Sequence, residues 1–599
     1  MATGNFYIGV DIGTGSARAT LVRQDGVIAA TSTKDILTYR DPEDHRIFEQ
    51  STTDIWDALS STIKACLSSA DVLPSFVKGI GFDATCSLAV TGLNGEPVAV
   101  TKGDQLGHHG ERNIVLWMDH RAEQEADLIN SIGSDVLDYV GGTMSLEMAC
   151  PKILWLKKRM DPDLFSRCQF FDLPDFLTFR ATSDDTRSSC SLTCKCSYIP
   201  DQGWREDFFR GIGLGSFVER DYQPIGAHGK VLTAGMPVGR GLCKRAAEEL
   251  GLVEGTPVGS ALIDAYAGWL GTVAGRFEND GKLSDMPAIG QSQYRLAVVA
   301  GTSTCHIVQS PKGVFVDGIW GPYKDAVFRG WWMSEGGQSS TGQLIEFILI
   351  THPAYPQLVE QSKRENRPVH DVLEDILQRL RAEQDVETNV ELTKDVQFYP
   401  DFHGNRSPVA DPRMRGSIVG LELDSSIGDL ARKYALALES ISIQTRHIID
   451  TLNSKSNTST KPSVGLPSEQ QEHHNVSEIH MSGGQTKNKA LMQLLANVCG
   501  MPVVLPADSG AAVVLGAAIL GRFAREMSDW RVNGIGDLSI AEQNDMLWNI
   551  MVEMTPPGAL VAPAATLKEK KILEAKYQIF LETIEIQKRW RRKIEEASK

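Results

Sequence analysis

Apolar and polar positions along this chain fall into a few repeated rhythms. Residues 9–22, GVDIGTGSARATLV, set one apolar run before and one after a turn of small and hydroxyl side chains, which predicts a β-hairpin. Asp11 interrupts the first run at a point where a strand would be buried. Residues 296–309, LAVVAGTSTCHIVQ, repeat the arrangement around Gly-Thr-Ser-Thr, so the same hairpin is made twice. Residues 479–503, IHMSGGQTKNKALMQLLANVCGMPV, read as a strand, a Gly483-Gly484 turn and a helix. In ALIDAYAGWLG an apolar strand meets a small-residue helix start at Asp264. From Thr566 a capping-box pattern with Glu569 opens a helix that spaces Leu573, Tyr577, Phe580 and Ile584 on one face, predicting a helix docked on the body.

Two stretches break these rhythms. Residues 452–476, rich in Ser, Thr, Asn and Gln, have almost nothing to bury and are expected to form a mobile loop with His473 and His474 exposed. Residues 276–293 read as a polar surface insertion.

The 599 residues allow up to four domains at about 150 residues each, though two large ones fit equally well. An apolar fraction of 42% and a charged fraction of 23% describe an ordinary globular protein with ample core. A formal charge of −16 argues against nucleic acid as a partner. There is no twenty-residue apolar run and no basic n-region before an apolar h-region, so no membrane association and a cytoplasmic location are expected. The ten cysteines are scattered, and Cys190, Cys194 and Cys196 lack the paired spacing of a zinc site, so reduced structural thiols are expected.

The twin turns change the chemistry in view. Small residues let backbone amides approach an anion and hydroxyls add donors, so each turn can hold phosphate oxygens without a lysine. No G-x-x-x-x-G-K-[ST] sequence occurs, which removes the Walker-type alternative. One such turn is more often a plain hairpin, but one in each half suggests a duplicated fold with a nucleotide in the cleft between.

On these residues the sequence resembles the FGGY family of carbohydrate kinases, within the actin-like ATPases. The likeness runs from about residue 6 to 523 and includes GVDIGTGSAR, MACPKILWLKKR, VAGTSTCH, SGGQTKN and ADSGAAVVLGAAILG. FDATCSL, LWMDHRA, RSSCSLTCKCSY, LIDAYAG, SEGGQSSTG and DFHGNRSPVADPRMRG are similar to ribulokinases in particular. The resemblance implies an α/β fold of two actin-like, ribonuclease H-like domains closing over ATP and a sugar. The expected divisions are 1–275, 276–535 and a C-terminal helical extension, 536–599. Monomer and homodimer are both left open.

The resemblance also implies roles. Asp264 is the expected catalytic base, the alternative being a buried aspartate that caps its helix. Asp11 is expected to bind Mg²⁺ with Asp264, through waters, rather than merely close its own turn. Gly13, Thr14, Gly15, Ser16 and Arg18 in the first half, and Gly301, Thr302, Ser303 and Thr304 in the second, are expected to bind the phosphates. Gly483, Gly484, Gln485 and Asn488 should line the adenosine. Thr85, Cys86, Lys195 and Glu335 join Asp264 as expected sugar contacts. Trp117, Asp119 and His120 are weaker candidates, and Asn405 and Arg406 are assigned to either the ATP side or a hinge. Tyr266 departs from the histidine common in the family. The expected substrate is a ketopentose, D-ribulose before L-ribulose before D-xylulose. An actin-like chaperone or filament would not need Lys195, Asp264 and Glu335, and a sugar-sensing regulator would not need both Asp11 and Asp264.

Overall fold

The computed structural model describes residues 4–226, 230–454, 473–532 and 537–599. The first hairpin forms as the sequence predicts, Phe6–Ile12 against Ser16–Arg23. It lies in a five-stranded sheet whose order is Leu262–Ile263, Val77–Ala84, Phe6–Ile12, Ser16–Arg23, Ile28–Asp35. The helix Thr52–Ser69 covers this sheet; Ser51 caps it by accepting from the Asp54 amide, and Ile55, Leu59, Ile63 and Cys66 are buried.

The second hairpin, Arg295–Ala300 against Thr304–Ser310, sits inside a nine-stranded sheet. On one side it pairs with Trp332–Gln338, and on the other, in parallel, with Glu478–Ser482. Phe277–Asn279 and Lys282–Leu283, within the polar 276–293 stretch, form a hairpin at the far edge. Within residues 536–599 the helices Ile540–Met554 and Leu567–Ala597 flank a strand, Gly558–Val561, which joins this sheet beside Val503–Leu505.

The two halves interlock through a pair of exchanged helices. Helix Ala512–Val532, from the second half, lies directly on the first sheet, and the strand glycines allow it: a Cβ on Gly9 would stand 1.9 Å from the Val514 carbonyl oxygen, and one on Gly81 2.0 Å from that of Ala517. Helix Asp264–Leu270, which follows the first sheet's edge strand, packs toward the second hairpin, where a Cβ on Gly268 would meet Val299 at 2.8 Å. The two helices touch along Gly271, Ala512, Ala267 and Gly516. The largest apolar core accordingly runs through both halves, from Leu88 and Trp155 to Ala297, Trp320 and Phe523.

The tail helix docks as expected, with Leu573, Tyr577, Phe580 and Ile584 buried against Tyr399 and Ile443. Burying each such side chain contributes about 1.5–3 kcal/mol. Lys576 adds a buried ion pair to Glu439 and donates to the Thr393 carbonyl. The expected loop 452–476 falls largely on residues 455–472, outside the described residues. Its C-terminal end corrects the expectation of exposure. His473 is half-buried, and His474 is only 2% exposed and shares a hydrogen bond with Ser334 Oγ at 3.1 Å. The polar composition hid this because an imidazole can be buried once one ring nitrogen has a partner.

Candidate active site

Strand register brings three carboxyls to one place. Asp11 and Asp83 are directly paired across parallel strands, and Leu262 pairs with Asp83, so Asp264 leaves the third strand beside them. Asp11 and Asp264 are half-buried, whereas Asp83 is fully buried. Removal from water makes the charged forms costly, and the carboxyls repel one another. Burial and then the neighbouring Asp11 push Asp264 up to about 7, although the Ala265 amide, donating to its Oδ1 at 2.7 Å, and Lys195 pull the other way. Burial raises Asp11 too, with Arg18 opposing. Asp83 is raised well above the usual range by burial and by Asp11 and Asp264.

The first turn is tight and open above. The Gly13 amide donates to the Ser16 carbonyl at 3.0 Å, and nothing lies within 4 Å of where a Cβ on Gly15 would point. Thr14 is gripped three times: Gln50 Nε2 and the Thr38 hydroxyl donate to its carbonyl at 2.8 Å and 3.5 Å, and Trp117 Nε1 to its hydroxyl oxygen at 3.0 Å. Arg18 donates to the Gly510 carbonyl at 2.9 Å, tying this turn to the loop before the exchanged helix.

In the second turn, Gly301 and Thr302 are exposed and Ser303 half-buried, so all three are free to face a ligand. Thr304 is not. It is buried with its hydroxyl bonded to Thr341 Oγ1 at 2.7 Å. Gln485 Nε2 donates to the Gly301 carbonyl at 2.8 Å and to Thr341 Oγ1 at 2.7 Å, so this side chain locks the third turn to the second. Gly483 has φ +94, and a Cβ there would stand 2.1 Å from the Ala300 carbonyl oxygen, so only glycine seats the turn on the end of that strand. Gly484 faces open space. The Asn488 side chain caps its helix by accepting from the Leu491 amide and donates to the Tyr434 hydroxyl.

Of the residues expected to meet a sugar, Thr85 bonds Ser87 Oγ at 3.1 Å, and its amide donates to the Ile12 carbonyl. Cys86 is half-buried beside it with its thiol pushed up to about 12 by burial, which keeps it protonated. Lys195 is 2% exposed and its ammonium stands 4.7 Å from the centre of the Trp320 ring. Both oxygens of Glu335 are engaged, one by the Tyr266 hydroxyl at 3.3 Å and the other by Arg406 Nη2 at 3.1 Å. Arg406 also reaches Glu147 at 3.1 Å, and its guanidinium stands 4.3 Å from the centre of the Trp320 ring. Arg406 therefore joins the two halves through Glu147 and Glu335. Asn405 is turned inward onto Asp401. Asp119 is held by Arg121 and the Phe48 amide, while burial lowers the His120 pKa and its ring faces His403.

Models of the N-terminal and C-terminal domains of the FGGY family of carbohydrate kinases match residues 6–271 and 296–525. The chain belongs to the FGGY family of carbohydrate kinases. It is similar to D-ribulokinase of Saccharomyces cerevisiae, 37% identical over 99% of this chain and 94% of that one. It is also similar to the FGGY carbohydrate kinase domain-containing protein of Homo sapiens, 38% identical over 98% of this chain and 97% of that one. The crystal structure of xylulose kinase from Rhodospirillum rubrum superposes with a TM-score of 0.68 at 17% identity, covering 98% and 99% of the two chains, which shows a shared fold.

This FGGY kinase thus has the two-domain actin-like architecture its sequence suggested, and FGGY kinases use ATP. No group of three or more His, Cys, Asp or Glu side chains among the described residues could by itself hold a metal ion. A pair of hard carboxylates to which no lysine or arginine among the described residues is bonded, as at Asp11 and Asp264, still suits Mg²⁺, which takes one or two carboxylates and fills its shell with waters and phosphates. Among the described residues no helix is long and apolar enough to cross a membrane, and all ten cysteines are free. Sequence reasoning passed over Asp83, although an aspartate inside the apolar strand of FDATCSL is the same anomaly that exposed Asp11. It also passed over Glu147 and Trp320, whose places depend on contacts across the cleft.

Proposed function

We propose that this carbohydrate kinase transfers the γ-phosphoryl group of ATP to a ketopentose, with D-ribulose the preferred acceptor and D-ribulose 5-phosphate the product. The observation that carries the reading is Asp264: a carboxyl beside Asp11, pushed up to about 7, at the start of the helix that packs against the second hairpin. In this reading Asp264 accepts the sugar hydroxyl proton, the freed oxygen attacks the γ-phosphorus, and ADP leaves. Gly13, Thr14, Gly15 and Ser16 take one side of the phosphates and Gly301, Thr302 and Ser303 the other, with Gly484 on the adenosine side. Mg²⁺ held by Asp11 and Asp264 would neutralise phosphate charge.

Lys195 supplies the sugar contact, since no oxygen acceptor among the described residues hydrogen-bonds its ammonium. Glu335 has each oxygen already occupied once, so it aids the sugar with its remaining lone pairs and braces Tyr266. The choice of D-ribulose is supported by the 37% identity to a D-ribulokinase. The test is kcat/KM for D-ribulose, L-ribulose, D-xylulose and glycerol on one preparation, read by ADP release. D-ribulose should lead. A tenfold lead by D-xylulose or glycerol overturns the substrate, and turnover with none of the four overturns the catalytic reading.

A further inference from the structure

Thr14 is the most tightly held residue of the first phosphate turn, and the partner of its hydroxyl has no role in the chemistry so far. Trp117 follows the strand Ile114–Val115. Its backbone is pinned on both sides: its amide donates to Ser87 Oγ at 3.1 Å, and the buried Lys152 ammonium donates to its carbonyl at 3.2 Å and to that of Leu116 at 2.7 Å. From this fixed base its indole Nε1 reaches Thr14 Oγ1 at 3.0 Å.

An indole N–H can only donate, so Thr14 Oγ1 must be the acceptor. The hydroxyl's own proton must then point away from the ring. The Thr14 carbonyl is already taken by Gln50, so the turn cannot swivel to satisfy that proton on itself. Open space lies beside it, since nothing stands within 4 Å of where a Cβ on the neighbouring Gly15 would point.

We propose that Trp117 is a positioning residue for phosphoryl transfer: by occupying the Thr14 oxygen, its N–H commits the Thr14 hydroxyl proton to an oxygen of the transferring phosphate. This rests on the kinase reading above. The same contacts run on to the sugar side, because Ser87, which fixes Trp117, also bonds Thr85. The orientation of the phosphate donor is thus set from the wall that holds the acceptor sugar.

The experiment uses the full chain and four variants, Trp117→Phe, Thr14→Val, Thr14→Ser and the Trp117→Phe/Thr14→Val double. Trp117→Phe keeps an aromatic ring and removes the donor, together with part of the indole's volume. We expect kcat to fall roughly tenfold, less than the about 10²-fold of deleting a preorganised donor outright, while KM for the sugar stays within twofold. Thr14→Val should fall further, Thr14→Ser should recover at least several-fold of what Thr14→Val loses, and the double variant should match Thr14→Val alone. ADP affinity by calorimetry should not move in Trp117→Phe, since the donated bond goes to the group being transferred, whereas affinity for a non-hydrolysable ATP analogue should drop several-fold. Wild-type kcat in Trp117→Phe overturns the proposal. So does a double variant in which the two losses multiply, as independent structural effects would. If Trp117→Phe is unstable, Thr14→Val and Thr14→Ser decide, and equal kcat in those two overturns it. Should the wild type phosphorylate none of the sugars, the kinase reading fails, while the paired ADP and ATP-analogue affinities still judge Trp117.

Discussion

Replacing Arg406 by alanine should be the most damaging single truncation at the cleft. Its guanidinium lies 3.1 Å from Glu335 and 3.1 Å from Glu147, and the Arg406 and Glu335 side chains are 7% and 3% exposed. Removing a partner from a buried ion pair costs about 3–5 kcal/mol, because the charge left behind is neither solvated nor paired. Here two carboxylates are left. Loss of the guanidinium from the Trp320 face, now at 4.3 Å, adds about 1 kcal/mol or more. Arg406→Lys keeps the charge but is shorter and lacks the planar guanidinium that stacks on Trp320, so it should recover only part of the loss. Glu147→Gln should cost less than Arg406→Ala, since Arg406 retains Glu335. Urea unfolding of the three variants, followed by tryptophan fluorescence with Trp320 as one reporter, measures the series. A loss under about 1 kcal/mol in Arg406→Ala would refute the idea that this residue joins the halves through buried charge, for that is the size of an exposed pair.

Asp264→Asn should lower turnover at least about 10²-fold, and wild-type kcat/KM should fall as pH drops below about 7, where the carboxyl is protonated and cannot accept a proton; a flat profile from pH 8 to 5.5 would contradict this. Buried His474 and His306 are depressed by burial to about 4 and about 3, so they stay neutral in the fold while the unfolded chain binds protons below about 6.5. Stability is therefore present above that value and lost as pH falls, by about 2 kcal/mol for each of the two between pH 7 and 5. His474→Gln should remove its share of the pH 7 to 5 change in urea midpoint, and an unchanged difference would argue against it. Gly81→Ala, whose Cβ would stand 2.0 Å from the Ala517 carbonyl oxygen, should cost about 2 kcal/mol or more by forcing the exchanged helix off the sheet. Gly15→Ala, with nothing within 4 Å, should leave stability unchanged, and equal melting of the two variants would refute that packing.

Much of the local structure was legible because it is written at short range. The two hairpins, the Gly483-Gly484 turn and the tail helix each follow from apolar spacing interrupted by small residues, and each forms where the spacing puts it. Asp11 and Asp264 could be singled out for the same reason, as charges standing where a strand or helix start would otherwise be apolar. Asp83 carries the same signal, but its place depends on the parallel register that sets it opposite Asp11.

The sequence by itself therefore determined the elements and which residues break their rhythm, since propensity and burial pattern act over a few residues. It could not decide which side chains spend their hydrogen bonds on each other. That Thr304, Gln485 and Asn488 bond Thr341, Gly301 and Tyr434, distant in the chain, could not be read from their own surroundings. Arg406 had no readable place until Glu335 and Glu147 closed on it, and His474 read as exposed until Ser334 met it. Only the tertiary structure settled these, because a polar group's role depends on whether a partner reaches it before water or a ligand does, and those partners are tens to hundreds of residues away.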